Sequence, residues 1–218
     1  MQTETIHHSP FTIHPPTKGS FVRVKICGIT NLPDALHAIE AGADALGFVF
    51  YDRSPRYIPP EVAAKITAAL PPFVERVGLF VHTPPEEVDR ICAQGGMSLA
   101  QIHFEVDEAY LDALRIKNLP VIRAQHPDDL DRFADRCCLV DAYVEGYGGE
   151  GKRLALEWFA GRDNSRIILA GGLTPENVAQ THPYGFYGVD VSSGVEAQKG
   201  RKDPAKVEQF IAHAKRLR

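Results

Sequence analysis

A cysteine and an aspartate each end a short apolar run, and both residue types can carry out acid–base chemistry. Cys27 closes the first such run, and Asp141 follows Leu139-Val140 much later in the chain. A thiol acts as a base or nucleophile once it loses its proton, although a buried, inert cysteine is a common alternative. A buried carboxyl can keep its proton near neutral pH and act as an acid. Equally, Asp141 could pair with a cation such as Lys25 or Arg123.

Two glycine-bearing turns in the last quarter of the chain predict an anion site. Gly171 and Gly172 follow one apolar run, while Ser193 and Gly194 follow the next. Glycine lets the backbone approach a ligand closely, and N–H groups at the start of a helix favour an anion. Either turn alone could serve only to reverse the chain, but the two together favour a phosphate. We therefore expect a small phosphorylated substrate.

Other polar residues lie close to the same apolar runs. Arg53 and Arg56 share one loop, and a planar guanidinium suits bidentate capture of a carboxylate, although a solvated loop is the alternative. His103 could polarise a substrate or serve the structure. The four cysteines show no metal-ligand spacing, and the adjacent pair Cys137-Cys138 is poorly suited to a disulfide. We therefore expect no metal site built from these cysteines.

The elements that must position these residues alternate regularly. Eight short apolar runs are separated by segments with helical signals, and continuous apolar runs are typical of parallel strands buried on both faces. Eight repeats favour a single-domain (βα)8 TIM barrel with eight parallel strands over an open doubly wound sheet. Residues 21–218 form this barrel, and residues 1–20, rich in His and Pro, are expected to be a flexible N-terminal extension. In such a barrel the site lies at the carboxyl ends of the strands.

Several helices of this pattern have expected bounds. The helix after the fourth strand should run over 107–117, and those after the fifth and sixth over 126–134 and 156–160. Residues 174–177 should cap the helix after strand seven, and the closing helix should cover 204–217.

Composition excludes several classes of protein. The formal net charge is −4 and the chain has no basic block, so binding to nucleic acid is not expected. No apolar run approaches the roughly 18 residues that would span a bilayer, and the first 20 residues lack an apolar leader. Free thiols and the missing leader indicate a reducing, cytoplasmic location. Both a monomer and a homodimer are compatible with the sequence.

Seven segments, in order, resemble the phosphoribosylanthranilate isomerase family of tryptophan biosynthesis, and they span nearly all of the chain from Phe21 onward. They are KICGIT within 24–30, GADALGFVF at 42–50, SPRYI at 54–58, PPFVERVGLFV at 71–81, YGGEGK at 147–152, LAGGLTPENV at 169–178 and GVDVSSGVE at 188–196. The chain departs from the family pattern at Phe104, where the family carries a glycine after the histidine. Residues 1–20 have no counterpart in that pattern.

The resemblance implies an Amadori rearrangement of N-(5-phosphoribosyl)anthranilate. It assigns the general base to Cys27, the general acid to Asp141 and the anthranilate carboxylate to Arg56, with Arg53 a weaker candidate. The phosphate would lie on the two glycine-bearing turns. No metal, flavin or nucleotide is implied, because the substrate nitrogen is the electron sink. Alternatives are another phosphosugar-binding barrel isomerase, in which a carboxylate stands in place of Cys27, or a non-catalytic sugar-phosphate binder.

Overall fold

The computed structural model describes residues 22–142 and 153–216, where eight parallel strands form a closed barrel. The (βα)8 prediction is confirmed. The expected extension at 1–20 and the segment at 147–152 lie outside the described residues. The strands are β1 (Arg23–Cys27), β2 (Ala45–Val49), β3 (Glu75–Phe80), β4 (Leu99–Ile102), β5 (Asn118–Ala124), β6 (Cys138–Ala142), β7 (Ile167–Leu169) and β8 (Gly188–Val191).

Closure of the barrel brings residues from the two ends of the chain together. Strand β1 pairs in parallel with both β2 and β8, and the register sets Lys25 opposite Asp190 and Cys27 opposite Gly47. On the other side, Arg123 of β5 lies opposite Asp141 of β6. A short antiparallel hairpin, β9 (Glu196–Gln198) with β10 (Arg201–Lys202), follows β8. The positions predicted to carry chemistry therefore lie toward one end of the barrel.

Regular helices cover mainly the first half of the barrel. They are α1 (Leu32–Glu40), α2 (Pro60–Thr67), α3 (Pro85–Gly95), α4 (Glu108–Ala113) and the closing α5 (Pro204–Lys215). Asn31 caps α1 by accepting a hydrogen bond from the N–H of Asp34 at 3.0 Å. Proline begins α2, α3 and α5, where its missing N–H removes no helical hydrogen bond. Within the described residues, no helix has the length and apolar character needed to cross a membrane.

The helix expected over 107–117 ends early. Helix α4 stops at Ala113 because the Asp89 carboxylate accepts the N–H groups of Arg115 and Ile116, which holds that backbone outside a helix.

The three helices expected after β5, β6 and β7 are 3₁₀ segments, at Pro127–Asp131, Leu156–Phe159 and Val178–Tyr184. In the first, the Asp129 carboxylate accepts the N–H groups of Gln125 and His126 and so competes with helical hydrogen bonds. In the last, Pro183 cannot donate a hydrogen bond.

The core has an outer and an inner part. The larger apolar cluster fills the space between strands and surrounding helices, with Phe48, Phe80, Phe159 and Phe210 fully buried. A smaller cluster of Leu119, Val121, Leu139 and Ala170 occupies alternate strand positions inside the barrel. The remaining interior toward β1 and β8 contains charged side chains, and these belong to the candidate site.

Candidate active site

Cys27 lies at the carboxyl end of β1 and is 5% exposed. A glycine opposite makes room for its sulfur, because a β-carbon at Gly47 would come within 2.7 Å of Cys27 Sγ. Burial raises the pKa of the Cys27 thiol, while the ammonium of Lys25 and then that of Lys202 oppose the rise. A buried thiol that lies beside two cations can lose its proton and act as a base.

The sequence left open an ion pair between Lys25 and Asp141, but the structure pairs Lys25 with another carboxylate. Its Nζ donates to Asp190 Oδ1 at 2.9 Å, and both side chains are nearly inaccessible. Asp190 was not among the residues predicted for the site. Its partner lies 165 positions away, and nothing in the local sequence signals that contact.

The carboxyl group of Asp141 lies near the end of β6, with its side chain 16% exposed. Burial, and then the negative charge of Asp190, raises its pKa to about 7, against the opposing charges of Arg123 and Lys25. A carboxyl with this pKa holds its proton in a large fraction of molecules at neutral pH. It can therefore act as a general acid.

The imidazole of His103 lies beside this acid. Its Nε2 is 3.7 Å from Asp141 Oδ2, and its Nδ1 is 3.2 Å from Gln101 Nε2. Burial, together with the charges of Arg123 and Lys25, lowers the pKa of His103 to about 3. The ring is therefore neutral at pH 7. Because an amide nitrogen only donates, Nδ1 accepts and the ring proton is on Nε2, which faces Asp141.

Phe104, the departure from the family pattern, points away from the acid. Its ring packs edge-on against Tyr110 and lies 5.1 Å from the His82 ring, and Phe104 is almost fully buried. Successive side chains at a strand end point to opposite faces. The aromatic substitution therefore fills the space beside α4 and leaves His103 next to Asp141.

Arg56 is buried near Cys27, whereas Arg53 is exposed on its loop. The guanidinium makes a bidentate pair with Glu196, from Nε to Oε1 and from Nη2 to Oε2, both at 2.7 Å. Lys202 Nζ also donates to Glu196 Oε1, at 3.2 Å. Arg56 packs over the residue after Cys27, since its Cδ lies 2.7 Å from the β-carbon position of Gly28. The sequence singled out Arg56, but not the carboxylate or the lysine that hold it in place.

The two turns predicted to bind phosphate pack directly against each other. A β-carbon at Gly194 would come within 1.9 Å of the Leu173 carbonyl oxygen, so a side chain at this position would separate the turns. Gly171 and Gly172 adopt φ of +86° and +61°. Asn177 ties the first turn by accepting from the N–H of Thr174 and donating to the Gly172 carbonyl, each at 2.9 Å.

These turns present polar groups close to Cys27. Gly171, Gly172, Ser193 and Gly194 are all partly exposed. Ser192 Oγ is buried and has no hydrogen-bond partner within the described part of the chain. It would lie 3.0 Å from a β-carbon on Gly28, beside Cys27. No α-helix lies between β7 and β8, so the anion site predicted after β7 would consist of turn backbone and not of a helix N-terminus.

The described residues contain no group of three or more His, Cys, Asp or Glu side chains arranged to hold a metal ion. The four cysteines are free thiols. Cys92 and Cys138 are buried in the core, and burial raises the pKa of each to about 12, as expected for inert thiols.

Comparisons with known proteins show which family this chain is similar to. A family model described as N-(5′-phosphoribosyl)anthranilate isomerase matches residues 24–213. A protein of that name from Sulfurovum sp. is 66% identical over 196 residues, covering 90% of this chain and all of the relative.

Solved structures extend the similarity to the fold. The crystal structure of phosphoribosyl anthranilate isomerase from Thermotoga maritima has a TM-score of 0.84 at 41% identity. A second structure, a complex of such an isomerase with reduced 1-(O-carboxyphenylamino)-1-deoxyribulose 5-phosphate, has a TM-score of 0.78 at 40% identity. Each alignment covers 90% of this chain and all of the solved chain.

Proposed function

The chain belongs to the N-(5′-phosphoribosyl)anthranilate isomerase family, and on this premise we propose that Cys27 is the general base and Asp141 the general acid of its reaction. The enzyme is an isomerase of tryptophan biosynthesis, an aldose–ketose intramolecular oxidoreductase acting on a phosphorylated small molecule. The product of its Amadori rearrangement is 1-(2-carboxyphenylamino)-1-deoxyribulose 5-phosphate. The observation that carries the residue roles is the presence, in one barrel mouth, of a thiol beside a lysine and a carboxyl whose pKa is about 7.

The acid acts first. Asp141 donates its proton to the furanose ring oxygen as the bond from that oxygen to C1 breaks, and the lone pair of the anthranilate nitrogen forms the C1=N bond of an iminium ion. A carboxyl that is protonated near neutral pH can make this donation. The neutral His103 places an N–H next to the same carboxyl.

The base acts on the ring-opened iminium. The Cys27 thiolate removes the proton from C2, and the C–H electron pair forms the C1=C2 bond while the iminium nitrogen becomes neutral. The resulting enolamine takes up a proton at C1 and loses the proton of its C2 hydroxyl, which yields the ketone. The substrate nitrogen accepts and returns the electron pair, so the roles given to Cys27 and Asp141 are proton transfers only.

The ionisation states determine the pH dependence. The Cys27 pKa lies above the ordinary thiol value of about 8.5, while that of Asp141 is about 7, so thiolate with carboxylic acid is a minor form. The thiolate–carboxylic acid form and the thiol–carboxylate form hold the same number of protons. The fraction of enzyme in the thiolate–carboxylic acid form is therefore constant at pH values between the two pKa values. We therefore expect a bell-shaped profile of kcat/KM, with its acidic limb near pH 7 reporting Asp141.

Substrate binding is assigned to the groups around this pair. Arg56 binds the anthranilate carboxylate with the part of its guanidinium that the Glu196 pair does not use. The backbone of Gly171, Gly172, Ser193 and Gly194 binds the phosphate, because the two turns meet and remain partly exposed. His103 contacts the substrate near the ring oxygen. All of these groups come from one chain.

We expect the enzyme to work in the cytoplasm, without a cofactor, as a monomer or a homodimer. Because a single chain supplies every assigned group, specific activity should not change on dilution. Sedimentation velocity and activity measured over the same concentration range test this expectation.

A pair of cysteine variants tests the central assignment. Turnover of N-(5-phosphoribosyl)anthranilate is followed by the change in anthranilate fluorescence. Cys27→Ala should lower kcat by about 10²- to 10⁴-fold, the usual contribution of a general base. Cys137→Ala is the matched control, since Cys137 is half-buried just before β6. Near-wild-type turnover by Cys27→Ala would exclude the thiol as the base, and absence of turnover by the wild type would exclude the reaction.

A further inference from the structure

The barrel interior contains a buried ion pair that the proposed proton transfers do not use directly. Lys25 Nζ and Asp190 Oδ1 are 2.9 Å apart, and the two side chains are 5% and 9% exposed. They are opposite each other in the β1–β8 register, where the barrel closes. Barrel interiors are usually filled by branched apolar side chains. Burial of two charges often costs more than their attraction returns, so stability alone is a weak reason for this pair.

The pair lies beside the proposed base. Lys25 precedes Cys27 by two positions on β1, so both side chains point into the barrel. Both also line the space opposite Gly47, since a β-carbon at that glycine would lie 2.7 Å from Cys27 Sγ and 3.1 Å from Lys25 Cε. A positive charge close to this sulfur favours the thiolate.

At the proposed acid, the negative member of the pair outweighs the positive one. Asp190 raises the pKa of Asp141 more than Lys25 lowers it. At Cys27 the order is reversed, because Lys25 lowers the thiol pKa more than Asp190 raises it. The net effect of the ion pair is therefore to lower the pKa of Cys27 and to raise that of Asp141.

Other charged groups also face the two reacting residues. Lys202 of β10 lowers the pKa of Cys27, and Cys27 in turn acts on Arg56 of the β2–α2 loop. On the other side, Arg123 of β5 lowers the pKa of Asp141, and the neutral His103 of the segment after β4 adjoins it. Against these positive charges, Asp190 brings the negative charge that favours the protonated form of Asp141.

We propose that Lys25 and Asp190 are positioning residues. Their charges favour the form in which Asp141 holds a proton and Cys27 is a thiolate over the form in which Cys27 holds the proton and Asp141 is a carboxylate. The inference rests on the acid and base roles proposed above. With the ion pair in place, a larger fraction of enzyme molecules holds the thiolate together with the carboxylic acid. Without it, the thiol–carboxylate form gains at the expense of the reactive one.

Three variants remove the charges singly and together: Lys25→Met, Asp190→Asn and the double variant. Removing both charges is expected to raise the pKa of Cys27 and to lower that of Asp141, because Lys25 outweighs Asp190 at the thiol and Asp190 outweighs Lys25 at the carboxyl. The gap between the two pKa values then widens, and one unit of widening lowers kcat/KM about tenfold. The double variant leaves no unpaired charge in the interior, so it provides the test if a single variant does not fold.

The decisive readout needs no turnover. The rate of Cys27 alkylation by iodoacetamide, measured against pH and read peptide by peptide by mass spectrometry, gives the thiol pKa in the free enzyme. We expect it to rise in Lys25→Met and not in the control Arg23→Met. Arg23 starts the same strand and makes a 2.9 Å ion pair with Asp44, but it is exposed at the opposite end of the barrel.

The outcomes separate the two proposals. If the folded double variant loses only thermal stability, while the Cys27 alkylation profile and the pH profile of kcat/KM stay unchanged, the ion pair is structural and the inference is wrong. If the thiol pKa shifts as expected but Cys27→Ala retains turnover, the electrostatic effect is real and the proposed base is wrong. A shift in the thiol pKa with a matching loss in kcat/KM supports both.

Discussion

The proposed base and the proposed acid lie on two sides of the barrel mouth with different electrostatic surroundings. Around Cys27, on the β1–β8 side, the positive charges of Lys25 and Lys202 oppose the rise that burial and Asp190 cause in the thiol pKa. Around Asp141, burial and the charge of Asp190 act together and raise its pKa to about 7. The pKa of both groups is therefore raised, but nearby positive charges limit the rise at the thiol, whereas the charge of Asp190 adds to it at the carboxyl. The comparison teaches that acid and base roles follow from the neighbours of each group as well as from its residue type.

The largest expected effect comes from removing the acid. Asp141→Asn should lower kcat by about 10²- to 10⁴-fold, because the ring oxygen loses its proton donor. The acidic limb near pH 7 should disappear, and the remaining activity should rise with pH until the Cys27 thiol has ionised. Steady-state kinetics between pH 5 and 10 measure both effects. A limb near pH 7 that survives in this variant would assign it to a group other than Asp141.

The same variant should be more stable than the wild type at high pH. The folded-state pKa of Asp141 is about 7, above its unfolded value of about 3.9, so this group costs the wild type stability as pH rises from about 4 to 7. Asparagine does not titrate, so Asp141→Asn should gain on the order of 1–4 kcal/mol in free energy of unfolding at pH 8, and much less at pH 4.

Urea unfolding at the two pH values measures this gain. Asp44→Asn is the control of opposite sign, because hydrogen bonds from Lys215, Val24 and Arg23 outweigh burial and lower the pKa of Asp44. That control should lose stability at pH 8. If Asp141→Asn and Asp44→Asn changed the free energy of unfolding by the same amount at pH 8, the opposite pKa shifts of the two carboxyl groups would be wrong.

A smaller effect is expected from loosening the substrate-binding side of the mouth. Glu196→Gln breaks the charged pair that orients Arg56 and removes the carboxylate partner of Lys202. Since hydrogen bonds to charged groups contribute about 1.5–3 kcal/mol, we expect KM to rise about tenfold or more, with a smaller change in kcat. Glu208→Gln, on the exposed face of α5, is the control. A fall in kcat at unchanged KM would place Glu196 in the chemical step instead.

The smallest effect concerns the neutral imidazole. His103→Asn should lower kcat/KM only about two- to tenfold, because Nε2 lies 3.7 Å from Asp141, beyond hydrogen-bond distance, and contributes one neutral donor. The pH profile should keep its shape, since the pKa of His103 is about 3 and the ring does not ionise in the working range. A limb that moves with this substitution would show that the imidazole titrates during turnover.

Local signals in the sequence predicted helix starts better than helix types. The helices expected to start at 107 and 204 begin at Glu108 and Pro204, each directly after a capping aspartate, because capping depends on a few neighbouring residues. The segments after β5 and β7 carried similar signals and became 3₁₀ turns. There the outcome depended on how the Asp129 carboxylate and Pro183 affect the backbone hydrogen bonds.

The sequence by itself determined the barrel, the family and the residues at the strand ends. Short apolar runs, strand-end positions and ordered motifs are local properties, so Cys27, Asp141, Arg56 and the glycine-bearing turns could be read from them. Only the tertiary structure decided which charges face each group. Asp190 meets Lys25 across 165 residues and Glu196 meets Arg56 across 140, because closing the barrel brings β8 and its following hairpin beside β1 and the β2–α2 loop. Coulomb interactions depend on the distance between charges in space, and this distance cannot be inferred from the number of residues that separate the charges along the chain.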